Sequence, residues 1–102
     1  MNAGGRLRKA LIERLVEGEG TASRADRRAA FENTGLAEPL RTLVQKVAMQ
    51  AAAVADSDIA AARVSGCSED QIFEIVACAA VGQSARQCET ASAALELVLR
   101  KD

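Results

Sequence analysis

The chain has 102 residues, a length that fits one domain, and carries 13 Lys and Arg against 14 Asp and Glu, for a net charge of −1. That balance gives no electrostatic reason to expect nucleic acid or an anionic membrane surface as a partner. The sequence holds no His, Trp or Tyr, which excludes His-based triads and His-ligated zinc, and it shows no Gly-rich phosphate loop.

No metal or cofactor is expected from these residues. No stretch approaches the roughly 18 apolar residues of a membrane span. Met1 to Arg6 contains no apolar leader. Three cysteines, odd in number and without metal spacing, fit free thiols in a reducing compartment, so a cytoplasmic location is expected. Ala occurs 22 times, and Phe31 and Phe73 are the only aromatics. At about 25 cal/mol per Å² of buried apolar area, a core of methyl groups stabilises little. Self-association would add the missing burial, so a homo-oligomer is expected.

In chain order, the apolar spacing predicts about five helices and no strand. Residues 6–17 form the first, with Leu7, Leu11, Ile12, Leu15 and Val16 on one side and Lys9, Glu13 and Glu17 opposite. Gly18 and Gly20 end it. Ser23 is the expected N-cap of a short helix reaching Phe31, followed by a break at Asn33-Thr34-Gly35. Pro39 suits the first position of a third helix, whose buried side is Leu40, Leu43, Val44, Val47, Ala48 and Ala51. Asp56 is the expected N-cap of the fourth, and Gly66 the residue just past its end. Ser68-Glu69-Asp70-Gln71 reads as a capping box opening a long C-terminal helix. That helix is apolar on most sides from Ile72 to Val81. Gly82 within it either bends it or admits a close neighbour. Cys78, Val81, Ala85, Cys88, Ser92, Leu95 and Leu99 repeat at alternating spacings of three and four, a small-residue seam expected to pair closely with another helix, within one subunit or between two.

The run from Val54 to Val76 holds an acid-capped helix ending at Gly66, then Ser68-Glu69-Asp70-Gln71-Ile72-Phe73-Glu74. It resembles the helix–Gly–Ser–helix segment of the carboxymuconolactone decarboxylase / alkylhydroperoxidase D-like superfamily. The match extends over residues 38–100 in general character and is specific over about 54–80. The resemblance implies an all-α, oligomeric fold, with residues 36–102 as its core and 1–35 as an N-terminal helical extension of one domain. The peroxidase branch of that family works through a Cys-x-x-Cys pair with a nearby His and a Glu. Here Cys67, Cys78 and Cys88 lie 11 and 10 residues apart and His is absent. No family catalytic residue carries over.

Four local features remain as site candidates. Glu74 and Cys78, four residues apart, share a face of the most apolar helix. Burial and the carboxylate both raise that thiol's pKa, the wrong direction for a nucleophile. Glu74 needs a partner, expected to be Arg63 or Arg41 from another helix. Cys67, just before a helix N-terminus, is the candidate reactive thiol. Arg24, Arg27 and Arg28 fall on one helix face and form a candidate anion or partner patch. The leading functional expectation is a non-catalytic or accessory oligomeric domain binding a partner protein or a small ligand. The rival is an enzyme, decarboxylase-like or peroxidase-like, with a non-standard site around Glu74.

Overall fold

The structure, a computed structural model, describes residues 3–100, with side chains from residue 9 onward. Leu7, expected on the apolar side of the first helix, therefore lies outside the described side chains. Among the described residues the chain is all-helical, with α1 Ala3–Glu17, α2 Arg24–Glu32, α3 Leu40–Met49, α4 Asp56–Val64 and α5 Glu69–Leu99. A single 3-10 turn, Ala51–Ala53, links α3 to α4.

Local chemistry sets most of the boundaries. Ser23 Oγ accepts the Asp26 N–H at 3.0 Å and opens α2. Asn33 closes that helix in the left-handed region, at φ 54°, and the Thr34 N–H returns to the Ala29 carbonyl at 3.0 Å. Gly66, at φ 110°, ends α4 in the same way, and the Cys67 N–H reaches the Ala62 carbonyl at 3.2 Å. The Ser68 capping box is present in both directions: Ser68 Oγ accepts from Gln71 N at 3.1 Å, and Gln71 Oε1 accepts from Ser68 N at 2.8 Å.

Two caps differ from expectation by one residue. Pro39 stands at the N-cap of α3 rather than inside it, after a cis Glu38–Pro39 peptide bond. The Glu38 carboxylate, not Pro39, caps that helix by accepting the Thr42 N–H at 3.0 Å. Ala55 is the N-cap of α4, with Asp56 already helical; Asp58 accepts the Ala55 N–H at 2.8 Å and so takes over the capping role.

All four shorter helices touch the first half of α5, which is the centre of the fold. One apolar cluster joins Val16 of α1, Ala22 and Ala30, Leu36, Val44 of α3, and Ile75, Cys78 and Ala79 of α5. A second joins Leu43, Ala62 and Ile72, tying α3 and α4 to the start of α5. α5 runs through Gly82 without a break. This glycine lets α2 approach so closely that a β-carbon there would run into the Phe31 carbonyl. Arg86 then donates to the same carbonyl at 2.6 Å and closes off the end of α2. Beyond Cys88 every α5 residue is exposed. The molecule is accordingly elongated, 56 × 29 × 20 Å.

Candidate functional site

The most elaborate polar arrangement is built on Glu74. The turn from Gly18 to Ser23 must reverse the chain between α1 and α2, and it passes directly over α5. Gly20 permits this, because a β-carbon at that position would overlap the Glu74 carboxylate. Two backbone N–H groups of the turn then point at that carboxylate. Thr21 N donates to Oε2 at 3.0 Å, the Thr21 hydroxyl to the same oxygen at 2.6 Å, and Ala22 N to Oε1 at 3.1 Å. One turn earlier on α5, Gln71 Nε2 donates to the Thr21 carbonyl at 3.2 Å. The Thr21 hydroxyl foremost, then the backbone N–H groups and the field of Arg27, hold the Glu74 carboxyl below its ordinary value. An ionised carboxylate is the acceptor this turn selects.

Arg27 is the buried cation of the same cluster, only 3% exposed. Its Nε donates to the Ala22 carbonyl at 3.2 Å and its Nη1 to the Leu15 carbonyl at 3.0 Å. The guanidinium thus satisfies the end of α1 and the turn together, while its charge lies in the field of Glu74. Cys78, one turn beyond Glu74 on α5, is fully buried with its Sγ 3.9 Å from the Leu15 carbonyl. Burial pushes its thiol up to about 11, with Arg27 pulling the other way and Glu74 adding to the rise. A small hollow of about 280 Å³ opens beside the cluster, lined by Leu11, Arg14, Leu15, Glu19, Arg27 and Glu74.

The structure brings together Glu74, Cys78 and Arg27, and it distributes the other candidates elsewhere. Arg63 and Arg41 do not reach Glu74: Arg63 pairs with Glu69 at 2.9 Å and Arg41 with Glu38 at 3.4 Å. The expected interhelical ion pair is replaced by hydrogen bonds from the turn. The three arginines of α2 do not share an exposed face either. Arg27 turns inward, Arg24 donates to the Glu17 carbonyl at 2.8 Å, and Arg28 pairs with the Glu17 carboxylate. Cys67 is half-buried against the second apolar cluster, 3.9 Å from the Ser65 hydroxyl. Of the small-residue seam, Cys78 lies within the chain's own core, Val81, Ala85 and Cys88 are half-buried, and Ser92, Leu95 and Leu99 stand in solvent. The residues that sequence reasoning missed are Gly20, Thr21 and Ala22. Their signal was the Gly-x-Gly-Thr turn itself, which reads only as a helix stop until its height over α5 is known.

Comparison with protein-family models, curated proteins and solved structures finds no match to the chain. Among the described residues no group of His, Cys, Asp and Glu is placed to hold a metal ion, and no helix is long and apolar enough to cross a membrane.

Proposed function

We propose that the chain is a non-catalytic assembly domain: a divergent alkylhydroperoxidase D-like helical unit that associates with itself and holds a partner protein or small ligand. The carrying observation is the state of Glu74. The one acid placed on the buried length of α5 is engaged by three donors that lock the α1–α2 turn in place. Its thiol neighbour is protonated at neutral pH, because burial raises its pKa. Neither group is left poised for proton transfer or nucleophilic attack. The likeness of residues 54–80 to the family's helix–Gly–Ser–helix segment supports the family placement. Three cysteines that form no disulfide suit a reducing, cytoplasmic setting.

The hollow beside Glu74 favours a second reading, an enzyme that uses this carboxylate on a small substrate. The two readings separate in one experiment. Purified protein is assayed for peroxide reduction with dithiol reductants and for decarboxylation of small lactone acids, alongside Glu74→Gln. The assembly reading expects no turnover from either protein. Turnover that disappears in a folded Glu74→Gln variant would establish the enzyme instead.

A further inference from the structure

Arg27 is a buried cation whose hydrogen bonding is incomplete. A guanidinium carries five N–H groups in a planar fork. Arg27 uses two of them, Nε on the Ala22 carbonyl at 3.2 Å and Nη1 on the Leu15 carbonyl at 3.0 Å. Both acceptors are neutral, and Arg27 forms no ion pair among the described residues. Glu74 lies near enough to feel the charge, but its two oxygens are taken by Thr21 and Ala22. Nη2 therefore keeps its N–H groups without an acceptor among the described residues. Every fully buried side-chain nitrogen and oxygen among those residues does have a partner, so Nη2 is not sealed inside. It accounts for part of the 3% exposure that Arg27 retains. A charge taken out of water without a counter-charge is costly, and an anion at that open edge offsets the cost.

Two hollows border Arg27, and they differ in chemistry. The one of about 280 Å³ is walled by the Glu74 carboxylate and by Leu11 and Leu15, surfaces that do not attract an anion. The other, of about 630 Å³, is walled by the turn at Gly18, Gly20 and Ala22, by Ser23, and by Arg24 with Arg27. It lies where α2 opens. Ser23 Oγ takes the Asp26 N–H there and the Ser23 carbonyl takes the Arg27 N–H. The N–H groups of Arg24 and Ala25 have no acceptor among the described residues. The positive end of the helix dipole falls at the same point. Arg24 is anchored by its Nε on the Glu17 carbonyl at 2.8 Å, which leaves its two Nη groups available. Glu19 is the one acid on the wall, and it is exposed, so water and salt screen it.

We propose that this hollow binds a small oxyanion, the carboxylate or phosphate group of a small molecule, between the open edge of Arg27 and the guanidinium of Arg24. Arginine forks match the planar spacing of oxyanion oxygens, and Arg27 is held in place at two points before any ligand arrives. The arginine patch of α2 thus persists in another form. Two of its three members flank a hollow, one from inside the fold and one from its surface, while Arg28 is engaged by Glu17. This gives the ligand of the proposed assembly domain a chemical class, and it rests on the ligand-holding part of that reading.

The test follows the amide NMR spectrum of the full, nitrogen-labelled chain while sodium phosphate, and separately sodium acetate, replaces chloride at constant pH and ionic strength. At least one of the two anions is expected to give saturable shifts at the amides from Gly18 to Ala25 and at the Arg27 Nε–H; a response to one anion only identifies which oxyanion the hollow takes. Because Arg27 also holds the α1–α2 turn, the binding variant is Arg24→Gln. It is expected to weaken binding about fivefold or more, the loss of a charge-assisted contact, with an unchanged far-UV spectrum. Arg28→Gln removes the same charge outside the hollow and is expected to leave the affinity nearly unchanged. Shifts that rise without saturating, that spread over the whole surface, or that Arg28→Gln weakens as much as Arg24→Gln report general ionic screening and overturn the site. Light scattering of the same samples keeps the two proposals apart. An oligomer without saturable shifts overturns the site and leaves self-association standing; a single-chain mass with saturable shifts overturns self-association and supports the site.

Discussion

Glu74 is a single side chain whose loss should be felt at a distance of more than 50 residues along the chain. Glu74→Gln keeps the shape but presents an NH₂ group to donors and removes the charge. Losing two charge-assisted hydrogen bonds should cost about 1–3 kcal/mol, read as a lower urea midpoint. Gly20→Ala should cost a similar amount by displacing the same carboxylate, and the double variant should be less than additive, since both changes damage one contact. Cys78 offers an independent check. At pH 8 a thiol reagent should modify Cys67 and Cys88 before Cys78, whose pKa of about 11 and full burial protect it until the fold opens. Equal rates for all three would show that α1 does not cover it. The sequence identified Glu74 as an acid in need of a partner on the most apolar helix, and Cys78 as a thiol whose pKa is raised by burial. It could not identify the partner. Hydrogen bonds from a glycine turn leave no charge in the sequence to be paired, while Arg63 and Arg41 are conspicuous and already engaged elsewhere.

At the scale of elements, caps were legible and faces less so. Ser23, Gly66 and the Ser68 box act within four residues of themselves, so local spacing suffices to place them. Ser68→Ala should accordingly cost about 1 kcal/mol, measurable by thermal melting. Faces depend on which neighbour arrives. Leu11 belongs to the apolar side of α1 by spacing, yet it is 63% exposed, because α1 meets the body through Val16, Ile12 and Leu15. Arg27 was read as a surface cation and is buried, because two backbone carbonyls await it. Gly82 is the sharpest case. Ala is the better helix former by about 1 kcal/mol. In this helix, however, Gly82→Ala would push a methyl group into the Phe31 backbone, a clash worth about 1–3 kcal/mol. The variant should melt lower than the native protein. A higher melting temperature would mean that α2 does not lie so close to α5.

At the scale of the whole molecule, acid should loosen the fold in a predictable window. Glu38 is held low by the Thr42 hydroxyl and N–H, Asp58 by the Ala55 N–H and Lys46, and Glu74 by Thr21. Each folded pKa lies below the unfolded one. The stability they contribute is therefore present above the ordinary values of 4.5 for Glu and 3.8 for Asp, and is lost as pH falls through the lowered ones. The melting temperature should fall below about pH 4.5, and Glu74→Gln should make that fall shallower. The all-helical architecture and the long last helix were legible because apolar periodicity reports them directly. The elongated shape was not, since nothing in a helical period says how much of α5 the body covers.

The central position of α5 also sets an order of events during synthesis. Residues preceding Glu69 leave the ribosome first, but the surfaces they must bury against, from Ile72 to Gly82, do not yet exist. Thr21 waits for Glu74, and the Phe31 carbonyl waits for Arg86. The shorter helices can therefore close fully on α5 only after the segment from Ile72 to Arg86 has been made.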